Sequence, residues 1–139
     1  MRLDVVFSPA GLGTTDVQGR TAFVIDILRA TTSICAALHH GAKALIPVAS
    51  TEEALRLAQT IGSDDVLLAG EKNCLRIPGF HLGNSPLEMT EPTVRGKTVI
   101  LTTTNGTKAM LACQGAAAVY GTCAGNLSMS AEKAREVLD

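Results

Sequence analysis

Short apolar runs rich in Val, Ile and Thr alternate along this chain with segments of helical period, and no other feature constrains the fold as tightly. The runs fall at residues 3–8, 21–28, 44–49, 66–70, 98–103 and 117–122. Alternation of this kind builds βα units on a mainly parallel sheet. Several runs are continuously apolar, as strands covered on both faces are. The expected fold is α/β, three layers of αβα type around a mainly parallel sheet, with residues 1–139 forming a single domain. At 139 residues and 46% hydrophobic, the chain carries enough apolar material for one core.

The helical segments are marked by their ends. Ser50 and Glu53 make an S-x-x-E capping box, Ala54, Leu57, Ala58 and Ile61 share one face, and Gly62 stops the helix. A second helix is expected from about Thr31 to His40, closed by Gly41, a third after Asn105-Gly106, and a fourth from near Ser128. That last pattern reaches Asp139 without a C-cap glycine or a following strand. Residues 9–19 read as a glycine-containing connector, and residues 73–92 as a long loop of the kind that is functional or flexible.

Composition removes several classes of function. Lys and Arg number 12 against 13 Asp and Glu and are scattered, so nucleic acid is not the expected partner. No segment approaches the roughly 20 apolar residues that span a bilayer, and the start lacks the h-region of a signal peptide. A cytoplasmic protein is expected. Cys35, Cys74, Cys113 and Cys123 include no CxxC pair, so they read as thiols and not as a zinc or dithiol motif.

Chemistry concentrates in four places. Thr102, Thr103, Thr104, Asn105, Gly106 and Thr107 form a hydroxyl-rich turn between an apolar strand and a helix, where N–H groups and the helix dipole favour an anion. The same pattern is also that of an ordinary β-branched strand followed by a capped helix. Asp26 lies in an apolar run, with Arg29, Thr31 and Thr32 at its C-terminal end, where open α/β sheets bind ligands. Asp26 suits a metal and Arg29 an oxyanion; alternatively the two pair with each other and Thr31 caps a helix. Asp26-Ile-Leu28 is not the D-x-D motif of haloacid-dehalogenase-type phosphatases, so no aspartyl-phosphate route is expected. Glu71 brings a second carboxylate toward the same rim for Mg²⁺, or is a plain strand-end glutamate. Asn84 and Ser85 precede Pro86 in a turn that is equally a competent helix start. Gly11 and Gly13 lack dinucleotide-binding spacing, His39 and His40 sit where they meet helix-end carbonyls, and His81 lies nearer the interesting loops.

Together, Val5-Val-Phe-Ser-Pro9, Val24-Ile-Asp-Ile-Leu-Arg-Ala-Thr-Thr32, Gly79-Phe-His-Leu-Gly-Asn-Ser-Pro-Leu-Glu88 and Gly96-Lys-Thr-Val-Ile-Leu-Thr-Thr-Thr-Asn-Gly-Thr107 resemble the 2-phosphosulfolactate phosphatase family in order and spacing. The resemblance implies hydrolysis of 2-phosphosulfolactate, a small phosphorylated sulfonate, to sulfolactate and phosphate with Mg²⁺, a step toward coenzyme M or sulfolactate. The family's motif positions fall on Asp26, Arg29, Thr31 and Thr32, on the Gly83-Asn84-Ser85-Pro86 turn and on the 102–107 turn, and Gly70-Glu71-Lys72 fits its Gly-Glu-basic pattern. Residue chemistry then assigns Asp26 and Glu71 to Mg²⁺, Asp26 and Arg29 to catalysis, and the hydroxyl-rich turns to the substrate. The chain departs from the family at Asn73 and Cys74, where glycines are usual, and at His81, where an aspartate is. Family chains are longer, so this one reads as an N-terminal portion with uncovered apolar surface and a tendency to form homo-oligomers. A phosphate- or sulfonate-binding module without turnover, or an assembly domain, are the rival readings.

Overall fold

The computed structural model describes residues 2–138. In chain order the elements are α1 (Thr14–Val17), β1 (Thr21–Ile25), α2 (Ala30–His39), β2 (Ala44–Pro47), α3 (Thr51–Ile61), β3 (Val66–Lys72), β4 (Leu75–Arg76), α4 (Glu91–Val94), β5 (Thr98–Thr102), α5 (Gly106–Ala112), β6 (Ala118–Thr122) and α6 (Leu127–Leu138). A 3₁₀ turn, Pro86–Glu88, precedes α4, and another, Ala124–Asn126, leads into α6. The α/β class and the mainly parallel pairing stand as expected. Among the described residues, no helix is long and apolar enough to cross a membrane.

The strands form two sheets and not the single one expected. Four of them run in the order β2-β5-β3-β4, while β1 and β6 pair in parallel as a separate two-stranded sheet. Among the strand pairs of the described residues, only the short β3–β4 hairpin is antiparallel. The three-layer arrangement is built around the four-stranded sheet, and the alternation of β5 displays it. Val99 and Leu101 pack with Ala37 of α2, Met89 and Val94 on one face. Ile100 packs with Ala54 of α3, Val48, Leu68 and Phe80 on the other. Val99, Ile100 and Leu101 are all 0% exposed, and full burial of each such side chain contributes about 1.5–3 kcal/mol. The two-stranded sheet lies beyond α2 and α5. Thr31 of α2 and Met110 of α5 both contact Gly121 of β6, and α2 is rich in small buried residues, Ala30, Ser33 and Ala37, that let it sit between the sheets.

Local signals explain the helix ends. The Ser50 hydroxyl accepts the Glu53 N–H at 3.1 Å, Glu53 reaches back to accept the Ala49 N–H at 2.8 Å, and Gly62 takes the left-handed conformation (φ 60°) that closes α3. Strand ends were harder to place. β1 stops at Ile25, three residues before the expected end, so Asp26 lies just past the strand; its N–H still reaches the Thr122 carbonyl at 2.9 Å. β3 runs two residues further than expected and turns back through Asn73 and Cys74, whose φ of 54° and 63° fit a two-residue primed hairpin turn.

The expected strand at residues 3–8 does not form. Residues 2–6 have no regular structure, and Leu3, Val5, Val6 and Phe7 are exposed, Phe7 fully. A strand is stabilised by its partner, and none of the described strands pairs with this segment. Its contacts are ionic: Asp4 pairs with Arg2 and Arg20. The uncapped end read at Asp139 lies outside the described residues. All four cysteines are free, and the Cys35 and Cys123 sulfurs stand 3.9 Å apart between α2 and the end of β6.

Candidate functional site

A cleft of about 190 Å³ opens where the loops after β1, β3 and β5 meet the turn before the Pro86–Glu88 3₁₀ helix. Its walls are Leu28, Arg29, Glu71, Asn73, Cys74, Asn84, Thr104 and Asn105. Five of the residues singled out from the sequence, drawn from four separate segments, thus line one cavity. A cavity of about 480 Å³ lies elsewhere, between the N-terminal segment and α1. Both arginines on its wall, Arg2 and Arg20, are already paired to Asp4, leaving it no free guanidinium for an anion.

Glu71 is held at the end of β3 by three donors. Its Oε1 accepts the Thr104 N–H at 2.6 Å, and its Oε2 accepts the Thr104 hydroxyl at 3.0 Å and the Cys74 N–H at 2.9 Å. Burial pushes the Glu71 carboxyl up, but the hydrogen bonds from Thr104 and Cys74 and the positive charge of Arg29 outweigh it and hold it below the ordinary value. Glu71 is therefore a carboxylate at neutral pH, fastening the β3 hairpin to the turn after β5. Arg29, at the N-cap position of α2, is exposed and makes no ion pair or side-chain hydrogen bond among the described residues. The internal Asp26–Arg29 pair, an alternative left open by the sequence, is not formed.

Asp26 does not line the cleft itself. Its carboxylate lies against the start of α5, where a methyl group placed on Gly106 would come within 2.5 Å of Asp26 Oδ2 and 2.4 Å of the Ala30 Cβ. Burial pushes the Asp26 carboxyl up, and the Ala30 N–H draws it only partly back. A desolvated carboxylate without a cation is the result. Glycine at 106 is thus what lets the α2 and α5 N-termini close on each other with Asp26 between them.

Asn84 is 7% exposed, yet its side-chain oxygen has no hydrogen-bond partner. An unpaired buried acceptor costs about 1–3 kcal/mol. The backbone here, by contrast, is fastened at the Asn84 carbonyl and at the Gly83 N–H before it. The buried Ser33 hydroxyl of α2 donates to the Asn84 carbonyl at 3.1 Å, and the Gly83 N–H donates to Glu88 Oε2 at 2.9 Å. Ser85 caps the 3₁₀ turn by accepting the Leu87 N–H at 3.3 Å.

Other expected residues serve the scaffold. Thr103 and Thr107 bond each other: the Thr107 N–H meets the Thr103 hydroxyl, and the Thr103 N–H the Thr107 hydroxyl, each at 3.0 Å. Thr102 closes β5, buried. Thr31 faces Gly121, and Thr32 donates its hydroxyl to the Ile27 carbonyl at 3.2 Å, tying the loop after β1 to α2. His81 accepts the Leu68 N–H at 2.9 Å on the edge of β3, and His40 bonds the Met89 carbonyl through Nδ1 at 2.6 Å. His39 is exposed.

Sequence reasoning missed Ser33 and Glu88. Ser85 and Glu88 do stand at S-x-x-E spacing, a signal that was available. Among the described residues, no three His, Cys, Asp or Glu side chains gather into a metal cluster. Mg²⁺ does not demand one, since it keeps several waters and takes one or two carboxylates.

The 2-phosphosulpholactate phosphatase family matches residues 6–138. A probable 2-phosphosulfolactate phosphatase of Symbiobacterium thermophilum is 50% identical over 105 residues, covering 76% of this chain and 45% of that protein. A protein of the same description from Clostridium perfringens strain 13 is 47% identical over 115 residues, 81% of this chain and 47% of its own. One from Caldanaerobacter subterraneus subsp. tengcongensis is 48% identical over 113 residues, 81% and 47% respectively. The chain spans about half the length of the curated relatives it matches.

Proposed function

The chain belongs to the 2-phosphosulpholactate phosphatase family, and from that premise we propose that its cleft binds 2-phosphosulfolactate and contributes to its hydrolysis to sulfolactate and phosphate with Mg²⁺. The observation that carries this reading is one cleft holding an unpaired guanidinium, Arg29, and a buried amide oxygen without a donor, Asn84. Neither is explained by the scaffold.

The residues fit a divalent cation. Asp26 is a hard oxygen ligand whose burial lacks a compensating positive charge, and Asn84 Oδ1 is a second such oxygen. Glu71 keeps about one lone-pair site, on Oε1, after accepting from Thr104 and Cys74. When bound, Mg²⁺ supplies charge neutralisation at the phosphoryl oxygens. The chain's own groups do the rest. Arg29 presents a planar fork to the dianion or the sulfonate, binding two oxygens at once. The turn from Thr104 to Gly106 is locked by Glu71 and by the Thr103–Thr107 pair, so it is organised before the substrate arrives. Leu28 and Cys74 stand exposed at the rim, so the cleft is open for a substrate to enter.

A second reading, a binding module without turnover, is favoured by His81, which stands where the family resemblance has an aspartate and is spent on the Leu68 N–H. Phosphate release from 2-phosphosulfolactate with and without Mg²⁺ separates the two. Release that requires Mg²⁺ and Arg29 supports the phosphatase; saturable binding of the substrate without release supports the module. The reading places the protein in the cytoplasm and has it self-associate through its exposed apolar residues.

A further inference from the structure

We infer that Glu88 is a positioning residue for the binding cleft, setting where the Asn84 side chain stands by gripping the backbone in front of it. This rests on the proposal that the cleft takes a phosphorylated ligand. The Glu88 carboxylate makes no ion pair among the described residues; its Oε2 accepts one backbone N–H, that of Gly83, at 2.9 Å. A half-buried carboxylate spent on one neutral donor contributes little net stability. It does close the 83–88 loop into a ring. The Glu88 N–H returns to the Ser85 carbonyl at 3.0 Å, and Ser85 caps the turn inside that ring.

Gly83 is shaped to the grip. A Cβ on it would stand 2.8 Å from Glu88 Oε1, so the carboxylate occupies the space a side chain would take. Ser33 clamps the other side of Asn84 through its carbonyl. Between the two clamps stands Asn84 Oδ1, buried and without a hydrogen-bond partner among the described residues. Backbone held from both sides with an idle amide between them is the build of a preorganised ligand contact. Local helix capping is excluded as the purpose, because Glu88 reaches past the cap residue Ser85 to Gly83.

The test compares Glu88→Gln, which keeps an acceptor of the same reach, with Glu88→Ala and with Glu88→Asp, whose shorter arm keeps the charge but cannot reach Gly83. Each full chain is titrated with Mg²⁺ and inorganic phosphate while the Asn84 side-chain amide is followed by NMR and unfolding by calorimetry. A misplaced binding group costs about 10- to 100-fold. Ala and Asp should therefore weaken phosphate binding by at least about tenfold and broaden or shift the Asn84 amide, while Gln restores both and melting temperature stays close to wild type. Wild-type binding in the Ala or Asp variant overturns the proposal, as does a loss in Gln equal to that in Ala. If Ala does not fold, the Asp and Gln pair decides. If wild type binds no phosphate, the binding reading of the cleft fails, and Glu88 is judged on the ligand-free Asn84 signal alone: unchanged in Ala and Asp, the proposal is overturned; altered in both and restored in Gln, it stands.

Discussion

The two sheets of this molecule are built from similar sequence and end in opposite conditions. β5 lies between two parallel neighbours with both faces covered, and its central residues are sealed from water. β1 has a single neighbour, and Ile25 at its end is 69% exposed, followed by exposed Ile27 and Leu28. The cleft draws on both. Glu71, Asn84, Thr104 and Asn105 stand on the covered sheet and its loops, while Leu28 and Arg29 stand on the loop leaving the exposed one, which also carries Asp26 outside the cleft. The lesson is a division of labour: the covered sheet supplies a fixed wall with Glu71 already bonded into it, and the loop leaving the exposed sheet carries the free guanidinium of Arg29 that faces it.

The largest effect should come from the covered side. Leu101→Ala removes a fully buried side chain and should cost about 2–5 kcal/mol of stability, read as a fall in the urea midpoint. A loss below about 1 kcal/mol, typical of surface positions, would erase the contrast between the sheets. Arg29→Ala comes next. It should lower kcat/KM for 2-phosphosulfolactate by about 30- to 1,000-fold, with Arg29→Lys nearly as low because the fork is lost, and leave the melting temperature in place. Near-normal turnover with a large drop in stability would assign Arg29 to the scaffold.

Asp26 sharpens the comparison through pH. Its folded-state pKa is raised, so between the ordinary carboxyl value and the raised one the folded form holds the proton more tightly than the unfolded chain. Stability from this group therefore falls as pH rises through that window and stays at its lower level above it. Glu71 runs the other way: its lowered pKa contributes stability present above the ordinary value and lost as pH falls through the folded one. Asp26→Asn should abolish the first slope and raise the neutral-pH midpoint slightly, and added Mg²⁺ should stabilise wild type but not the variant. Unchanged Mg²⁺ stabilisation in the variant would take Asp26 out of the metal's reach.

The smaller effects concern surface positions. Cys74→Gly should gain up to about 1 kcal/mol, because a non-glycine residue in the left-handed region carries roughly that strain; a loss would mean the Cys74 side chain packs usefully at the cleft. Phe7→Ser should alter stability by less than about 0.5 kcal/mol and shift sedimentation from dimer toward monomer. A wild-type protein that sediments as a monomer would show that the exposed apolar segment does not drive self-association.

What the sequence disclosed was what is local. The Ser50, Glu53 and Gly62 signals specify α3 because cap, face and stop all lie within thirteen residues of chain. Strand 3–8 failed because composition makes a strand possible and only a partner makes it form. The division into two sheets was invisible for the same reason: that β1 pairs with β6 and not with β5 depends on contacts about a hundred residues apart, closed by the small residues of α2. In the site, Arg29, Glu71 and Asn84 were legible as residue types at loop positions. Their states were not. The setting of Asn84 depends on Ser33, fifty-one residues away, and on Glu88, and the freedom of Arg29 on Thr104, which holds Glu71 from another strand's end.

Gly106 carries a consequence for how this chain can vary. The α2 and α5 N-termini touch at a point with no room for even a methyl group, and the group that would be displaced is Asp26. In a saturation library scored for growth, position 106 should behave as a one-letter alphabet. Enlarging Ala30 meets the same wall from the opposite helix, so neither side can change without the other, and position 106 has no smaller residue left to offer. The seam is an evolutionary dead end, and a designer recruiting this scaffold for another ligand would do better to leave it alone and vary Leu28, Asn73, Cys74 and Asn105 on the open rim.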